Sequence, residues 1–188
     1  MSPHDTHDGL QEAGFFELWN PFLLIILAVI AFLYLYSVKK LAVRFGGEHV
    51  PLYKKGMFFF GLFLFYVSEG SPLYYIGHHY LFSVHMANQA LTYIAVPPLI
   101  LAGLPAWLIE PVFGRPFIQK TVRMVANPFL AVVLFNALFS FYHLPTTFDW
   151  LMSHPFYMTV SSGLLFITAF IMWWPLVTPL KQFDRLSY

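Results

Sequence analysis

From Trp19 to Val38 the chain carries no charged side chain, and its apolar residues fall on every face of the helix such a run would form. About 20 residues of this kind, rising ~1.5 Å each, cross ~30 Å of hydrocarbon, where only a segment that satisfies its own backbone hydrogen bonds survives. Such a helix has no side suited to water, so lipid must be its solvent. The rest of the chain follows suit: 59% of its residues are hydrophobic, 20% aromatic and only 10% charged, too few charges to clothe a water-facing surface.

Four further segments meet the same requirement: Leu52–Val67, Leu81–Leu104, Val125–His143 and Phe156–Val177. The expected fold is all-α, a polytopic transmembrane helical bundle with five spans in this chain. The bundle covers residues 19–179, between an outer N-terminal tail (1–18) and a cytoplasmic tail (180–188). Threading the spans alternately fixes an orientation. Lys39, Lys40, Arg44, Lys54 and Lys55 fall in the first inner loop, Arg115, Lys120 and Arg123 in the second, and Lys181 and Arg185 in the C-terminal tail. All ten basic residues are then cytoplasmic, as the positive-inside rule requires. Before the first span stand Asp5, Asp8, Glu12 and Glu17 and no Lys or Arg, so the segment lacks the basic region of a cleaved signal peptide and reads as an N-out anchor. The expected location is the cell membrane, multi-pass, with the N-terminus outside.

The same threading sorts the histidines. His4 and His7 lie in the outer tail and His78-His79 in the second outer connection. His85 falls just inside the outer end of the third span, His143 ends the fourth, His154 begins the fifth, and only His49 is cytoplasmic. Met86 adjoins His85, Met158 follows His154, and Asp149 sits in the last outer loop. Imidazole with thioether and no thiolate suits copper, and Met favours Cu(I). The chain has no cysteine, which excludes disulfides, zinc ribbons and thiolate copper sites. His4, His7, His78 and His79 read as amphipathic interfacial residues. His85 differs, because it shares a span with Asn88 and Gln89, and polar groups within a membrane helix are costly enough to suggest a function. Their structural alternative is interhelical hydrogen bonding. Glu69, followed by Gly70-Ser71-Pro72, reads as a surface-loop residue rather than an intramembrane acid. Pro97-Pro98 should interrupt the hydrogen-bond ladder of the third span and kink it.

Several chemistries find no support. There is no His-Glu-x-x-His, Gly-x-Ser-x-Gly or phosphate loop, and no basic patch interleaved with aromatics for nucleic acid. No acid–base pair stands out within a span, so an enzyme is not expected.

Two blocks carry a family resemblance. Ser83-Val84-His85-Met86-Ala87-Asn88-Gln89, followed by Val96-Pro97-Pro98-Leu99-Ile100-Leu101-Ala102-Gly103-Leu104-Pro105, resembles the signature of the bacterial cytochrome c oxidase assembly factor CtaG family. So does Tyr142-His143-Leu144-Pro145, continuing through Phe148-Asp149 and His154 to Trp173-Trp174-Pro175-Leu176. The likeness covers roughly Pro72–Pro179. It implies an integral membrane factor that matures a haem–copper terminal oxidase, delivering copper to subunit I at the extracytoplasmic face. The metal-site positions it implies are His85, His143 and His154, to which the reading of the residues themselves adds Met86 and Met158. The chain departs from the pattern in two ways. Many members have a second histidine one turn after the first, where Gln89 stands here, and further histidines in the fifth span, where Met158 and Ser162 stand. Members also look like seven-span proteins, so this chain is expected to be cut short of further spans. Two rival functions fit the residues as well: a membrane haem protein with bis-His ligation by His85 and His143, and a small-solute or ion transporter.

Overall fold

The computed structural model describes residues 14–42, 47–113, 115, 117 and 127–180. Most of the N-terminal tail with His4 and His7, the basic residues Arg44, Lys120 and Arg123, and the C-terminal tail with Lys181 and Arg185 lie outside the described residues. Among the described residues every regular element is helical, and no strand is present.

The first elements are α1 (Phe15–Leu18) and α2 (Pro21–Tyr36), the latter running on as a π-turn over Ser37–Leu41. Asn20 caps α2 by accepting from the Leu23 amide at 3.0 Å, and Pro21 takes the first-turn position where its missing N–H costs nothing. Phe22, Ile25, Phe32 and Leu33 are all more than half exposed. In water that would be prohibitive, and in lipid it costs nothing. Next come α3 (Leu52–Glu69), α4 (Pro72–His79) and α5 (Phe82–Ala90). Helix α5 continues through a π-turn (Leu91–Ala95) into α6 (Val96–Gly103). Then follow α7 (Ala106–Phe113), α8 (Pro128–Tyr142), α9 (Pro145–Met152) and α10 (Pro155–Val177).

Two of these, Pro21–Leu41 and Pro155–Val177, are long and apolar enough to cross a membrane. The number rises to four if each bent pair is one span: Leu52–Glu69 with Pro72–His79, bent by 42°, and Pro128–Tyr142 with Pro145–Leu151, bent by 78°. The expected third span is a helical run from Phe82 to Gly103 with a π-turn in its middle, and its apolar character is diluted by His85, Asn88, Gln89 and Thr92. The interruption expected at Pro97-Pro98 takes the form of the π-turn before them, where the Val96 N–H donates to the Leu91 carbonyl.

Helices α3 and α6 form the most extensive helix–helix contact. Gly103 makes the approach possible, because a Cβ there would stand 2.7 Å from the Phe58 amide nitrogen. The core beside it holds Leu27, Tyr34, Val38, Phe58 and Leu62. Tyr34 stacks on Phe58 with ring centroids 4.0 Å apart, and its hydroxyl donates to the Gly103 carbonyl at 2.9 Å, so its polar end is satisfied. A second core, with Tyr93, Phe135, Tyr142, Leu165 and Ala169, joins α5–α6 to α8 and α10.

One end of the bundle gathers the start of α2, the end of α3, all of α4, the start of α5, the end of α8 and the start of α10. There the Asn20 N–H donates to the Gly70 carbonyl at 3.0 Å, and the Asn88 side chain donates to the Leu73 carbonyl at 2.9 Å.

Candidate functional site

His85, Asn88, Gln89 and Thr92 stand at i, i+3, i+4 and i+7 along α5 and its π-turn, which places them on one helix face. All four are buried, at 3–6% exposure, so a polar stripe faces the interior of an apolar bundle. Its outer member, His85, meets two more imidazoles. His78 of α4 lies edge-on to it with ring centroids 4.8 Å apart, and His143, at the C-terminal end of α8, is 6.4 Å away. Phe82 and Phe148 complete the wall around the His85 ring.

The backbone explains this meeting. Helix α4 folds back on α5 because Gly77 has no side chain: a Cβ there would be 2.9 Å from the His85 amide nitrogen and 3.0 Å from its Cα. His78 follows directly and is held by its Nδ1, 2.9 Å from the Tyr74 carbonyl. His143 is held the same way, with Nδ1 2.7 Å from the Phe139 carbonyl. A carbonyl only accepts, so each Nδ1 carries the proton, and in the neutral ring Nε2 keeps its lone pair. For His143 that Nε2 is buried without a hydrogen-bond partner, and so are Nε2 of His85 and Oε1 of Gln89. Buried polar atoms are rarely left in this state, and here three of them fall within one site. A ring nitrogen lies about 1.1 Å from its centroid, so nitrogens turned toward each other across the His85–His143 gap would stand about 4 Å apart, twice a metal–imidazole bond of about 2 Å.

Glu69 closes the inner side of the site. It is the last residue of α3, half-buried, and its Oε1 lies 2.8 Å from the Thr92 hydroxyl, which is also 2.8 Å from the hydroxyl of Ser68. One hydroxyl has one proton, so Thr92 donates to one of these partners at a time. The expectation of a surface-loop Glu69 is therefore corrected: α3 extends past Val67, and the carboxylate turns inward to a threonine donor. Glu69, His78, His85, Gln89, Tyr93 and Ser162 are among the residues lining a cavity of about 20 Å³. That suits one water-sized occupant.

The other anticipated site residues are dispersed. His154 is exposed at the N-terminal boundary of α10, its ring 5.6 Å from that of Tyr157. Met86 is half-buried on α5. Met158 is half-buried and lines a separate, open cleft of about 490 Å³ with Asn20, Glu69, Ser71 and Tyr74. Asp149 is exposed on α9, and His79 is exposed with its ring against Tyr75. No group of three or more His, Asp or Glu among the described residues is disposed to hold a metal ion. His78 and Glu69, set aside on sequence grounds, both line the site. The i, i+3, i+4, i+7 polar stripe ending in Thr92 is the signal that points to Glu69, and Gly77 is the signal that points to His78.

No curated protein and no solved structure matches the chain. The family described as cytochrome c oxidase caa3 assembly factor (Caa3_CtaG) matches residues 32–188, a stretch that contains every residue of this site, and the chain belongs to that family.

Proposed function

We propose that this protein holds copper between His85 and His143 at the extracytoplasmic end of its bundle and passes it to subunit I of a haem–copper oxidase. The observation that carries the reading is the pair of buried, unpartnered Nε2 atoms on His85 and His143, one of them fixed as a lone-pair donor by its Nδ1 bond to a main-chain carbonyl. Family membership supports the assembly role and points to a non-catalytic one. Gln89 stands where many members carry a second histidine, and its buried amide oxygen adds a weaker donor beside the two rings. In this reading the chain crosses the membrane five times with its N-terminus outside, because that threading alone puts every basic residue in the cytoplasm.

The rival haem reading uses the same two histidines. It meets a steric objection: the cavity that His85 lines, of about 20 Å³, has no space for a porphyrin. Metal analysis and spectroscopy on the full chain, purified with copper under reducing conditions, test the proposal. The expected result is copper bound by the wild type, lost in His85→Ala and His143→Ala, with no Soret band. Copper retained in both variants would refute the assignment, and a Soret band would transfer the histidines to haem.

A further inference from the structure

Two cavities meet at one wall. The outer cleft, of about 490 Å³, lies between the start of α2, the junction of α3 and α4, and the start of α10. The inner cavity, of about 20 Å³, contains the His85 side of the site. Glu69, Tyr74 and Ser162 line both. Of these three only Glu69 can carry a full charge, and its carboxyl group is held at the Thr92 hydroxyl rather than left to a mobile loop. The inner cavity is itself a built site, since His85 and Gln89, which line it, are 4% and 6% exposed and each carries a buried polar atom without a partner. On the cleft side the wall continues to Met158, a residue whose thioether is a soft donor.

The geometry points to Glu69 as a gate for Cu(I), which would collect in the cleft beside Met158 and pass the carboxylate to reach the imidazoles. This rests on the copper reading given above and adds the route and the residue that controls it. The physical need is clear. A cation leaving a half-open cleft for a cavity of one water's size must shed its hydration, and in an apolar bundle that loss is severe unless an opposite charge stands at the threshold. A neutral imidazole pair compensates none of the charge, whereas a carboxylate on the shared wall does so on both sides of it. A fixed charge at a cavity mouth also raises the local cation concentration, with effects on association of about 10- to 1,000-fold.

The test follows transfer of Cu(I) from a coloured chelator to the full-length protein, under reducing conditions, for the wild type, Glu69→Gln, Glu69→Asp, Met158→Leu and His85→Ala. Glu69→Gln keeps an oxygen for Thr92 while removing the charge. It should bind copper to the wild-type extent but take it up at least about tenfold more slowly. Glu69→Asp should recover part of the rate, and Met158→Leu should slow uptake to a smaller degree without altering the Thr92 bond. Glu69→Gln loading at the wild-type rate would overturn the gate and leave the copper site standing. Complete loss of binding in a folded Glu69→Gln would also overturn the gate, by making Glu69 a resident ligand. A wild type that takes up no Cu(I) would overturn both readings, and loss of binding in His85→Ala separates the two roles.

Discussion

Replacing Gly77 with alanine tests whether one missing side chain assembles the imidazole group. The added Cβ would stand 2.9 Å from the His85 amide nitrogen, 3.0 Å from its Cα and 3.2 Å from Nδ2 of Asn88, whereas ordinary contact begins at 3.4 Å. Two of these neighbours are backbone atoms of α5 and cannot rotate away. Helix α4 must therefore back off by about 0.5 Å, with an overpacking cost of about 1–3 kcal/mol. A shift of that size would stretch the Asn88–Leu73 hydrogen bond from 2.9 Å to about 3.4 Å, beyond the usual range, and would carry His78 away from His85. Thermal melting in detergent should register the cost at about 2–4 °C per kcal/mol for a chain of this size. Copper titration should show weaker binding. Gly163→Ala is the control, because a Cβ there meets nothing within 4 Å and helix propensity alone would make it neutral or mildly stabilising. If Gly77→Ala melts with the wild type and binds copper equally, the close approach of α4 to α5 is not what builds the site.

Other outcomes are expected on independent grounds. Reporter fusions in the region around Phe113 and near Asp149 should report cytoplasmic and extracytoplasmic locations respectively, and the reverse pattern would end the proposed threading. In cells, His143→Ala should lower oxidase activity while the protein stays inserted and abundant; loss of the protein itself would assign His143 to packing. Tyr34→Phe should cost about 1 kcal/mol in a detergent melt, since it removes a buried hydroxyl donor and leaves the Gly103 carbonyl without it. An unchanged melt would mean that this carbonyl finds another donor.

Local signals that apolarity alone passed over mark two helix starts. Asn20-Pro21 and Asn127-Pro128 each pair a capping side chain with a proline in the first turn, and the structure uses both as caps. The helix formed from the expected fifth span, Pro155–Val177, begins within one residue of its predicted start and ends at the predicted residue. That His85 and His143 come to the same end of the bundle was also legible, since each stands near one end of its own apolar run. What the sequence hid was set by contact between helices. Gly70-Ser71-Pro72 reads as a loop and drew Glu69 into it, yet the last turn of α3 persists and delivers the carboxylate to Thr92, a residue 23 positions away. His78 resembled any interfacial histidine until Gly77 let α4 lie against α5. His154 differs: it stands exposed at the N-terminal boundary of α10, where the chain enters the helix in extended conformation. Span count suffered for the same reason, since α8 and α9 meet at 78° and apolarity alone does not tell whether such a pair crosses the bilayer together.

The polar stripe on α5 bears on why such a site would transfer its metal rather than keep it. A bundle in lipid gains nothing from burying imidazole and amide groups, and leaving a buried acceptor unpaired costs about 1–3 kcal/mol. Here three such atoms, on His85, Gln89 and His143, belong to one site while Asn88 and Thr92 on the same face are hydrogen-bonded. The cost is thus concentrated at the end of the stripe where the three histidines meet, not spread along it. A cation seated there would recover part of that cost, which gives it a reason to enter. Yet its ligands would be two neutral rings and an amide oxygen, with no thiolate and with the carboxylate at the wall rather than in the ring pair. Such a set binds by few donors and leaves positions open to an incoming ligand. A client that offers more donors can then take the ion by exchange, without any change of fold in the carrier. The same reasoning makes a sharp demand on variants. Gln89→His would add a further imidazole to the buried face, and it should raise copper affinity while lowering the rate of release to a competing chelator. Release as fast as in the wild type, at higher affinity, would show that the sparse ligand set is not what makes the site a donor.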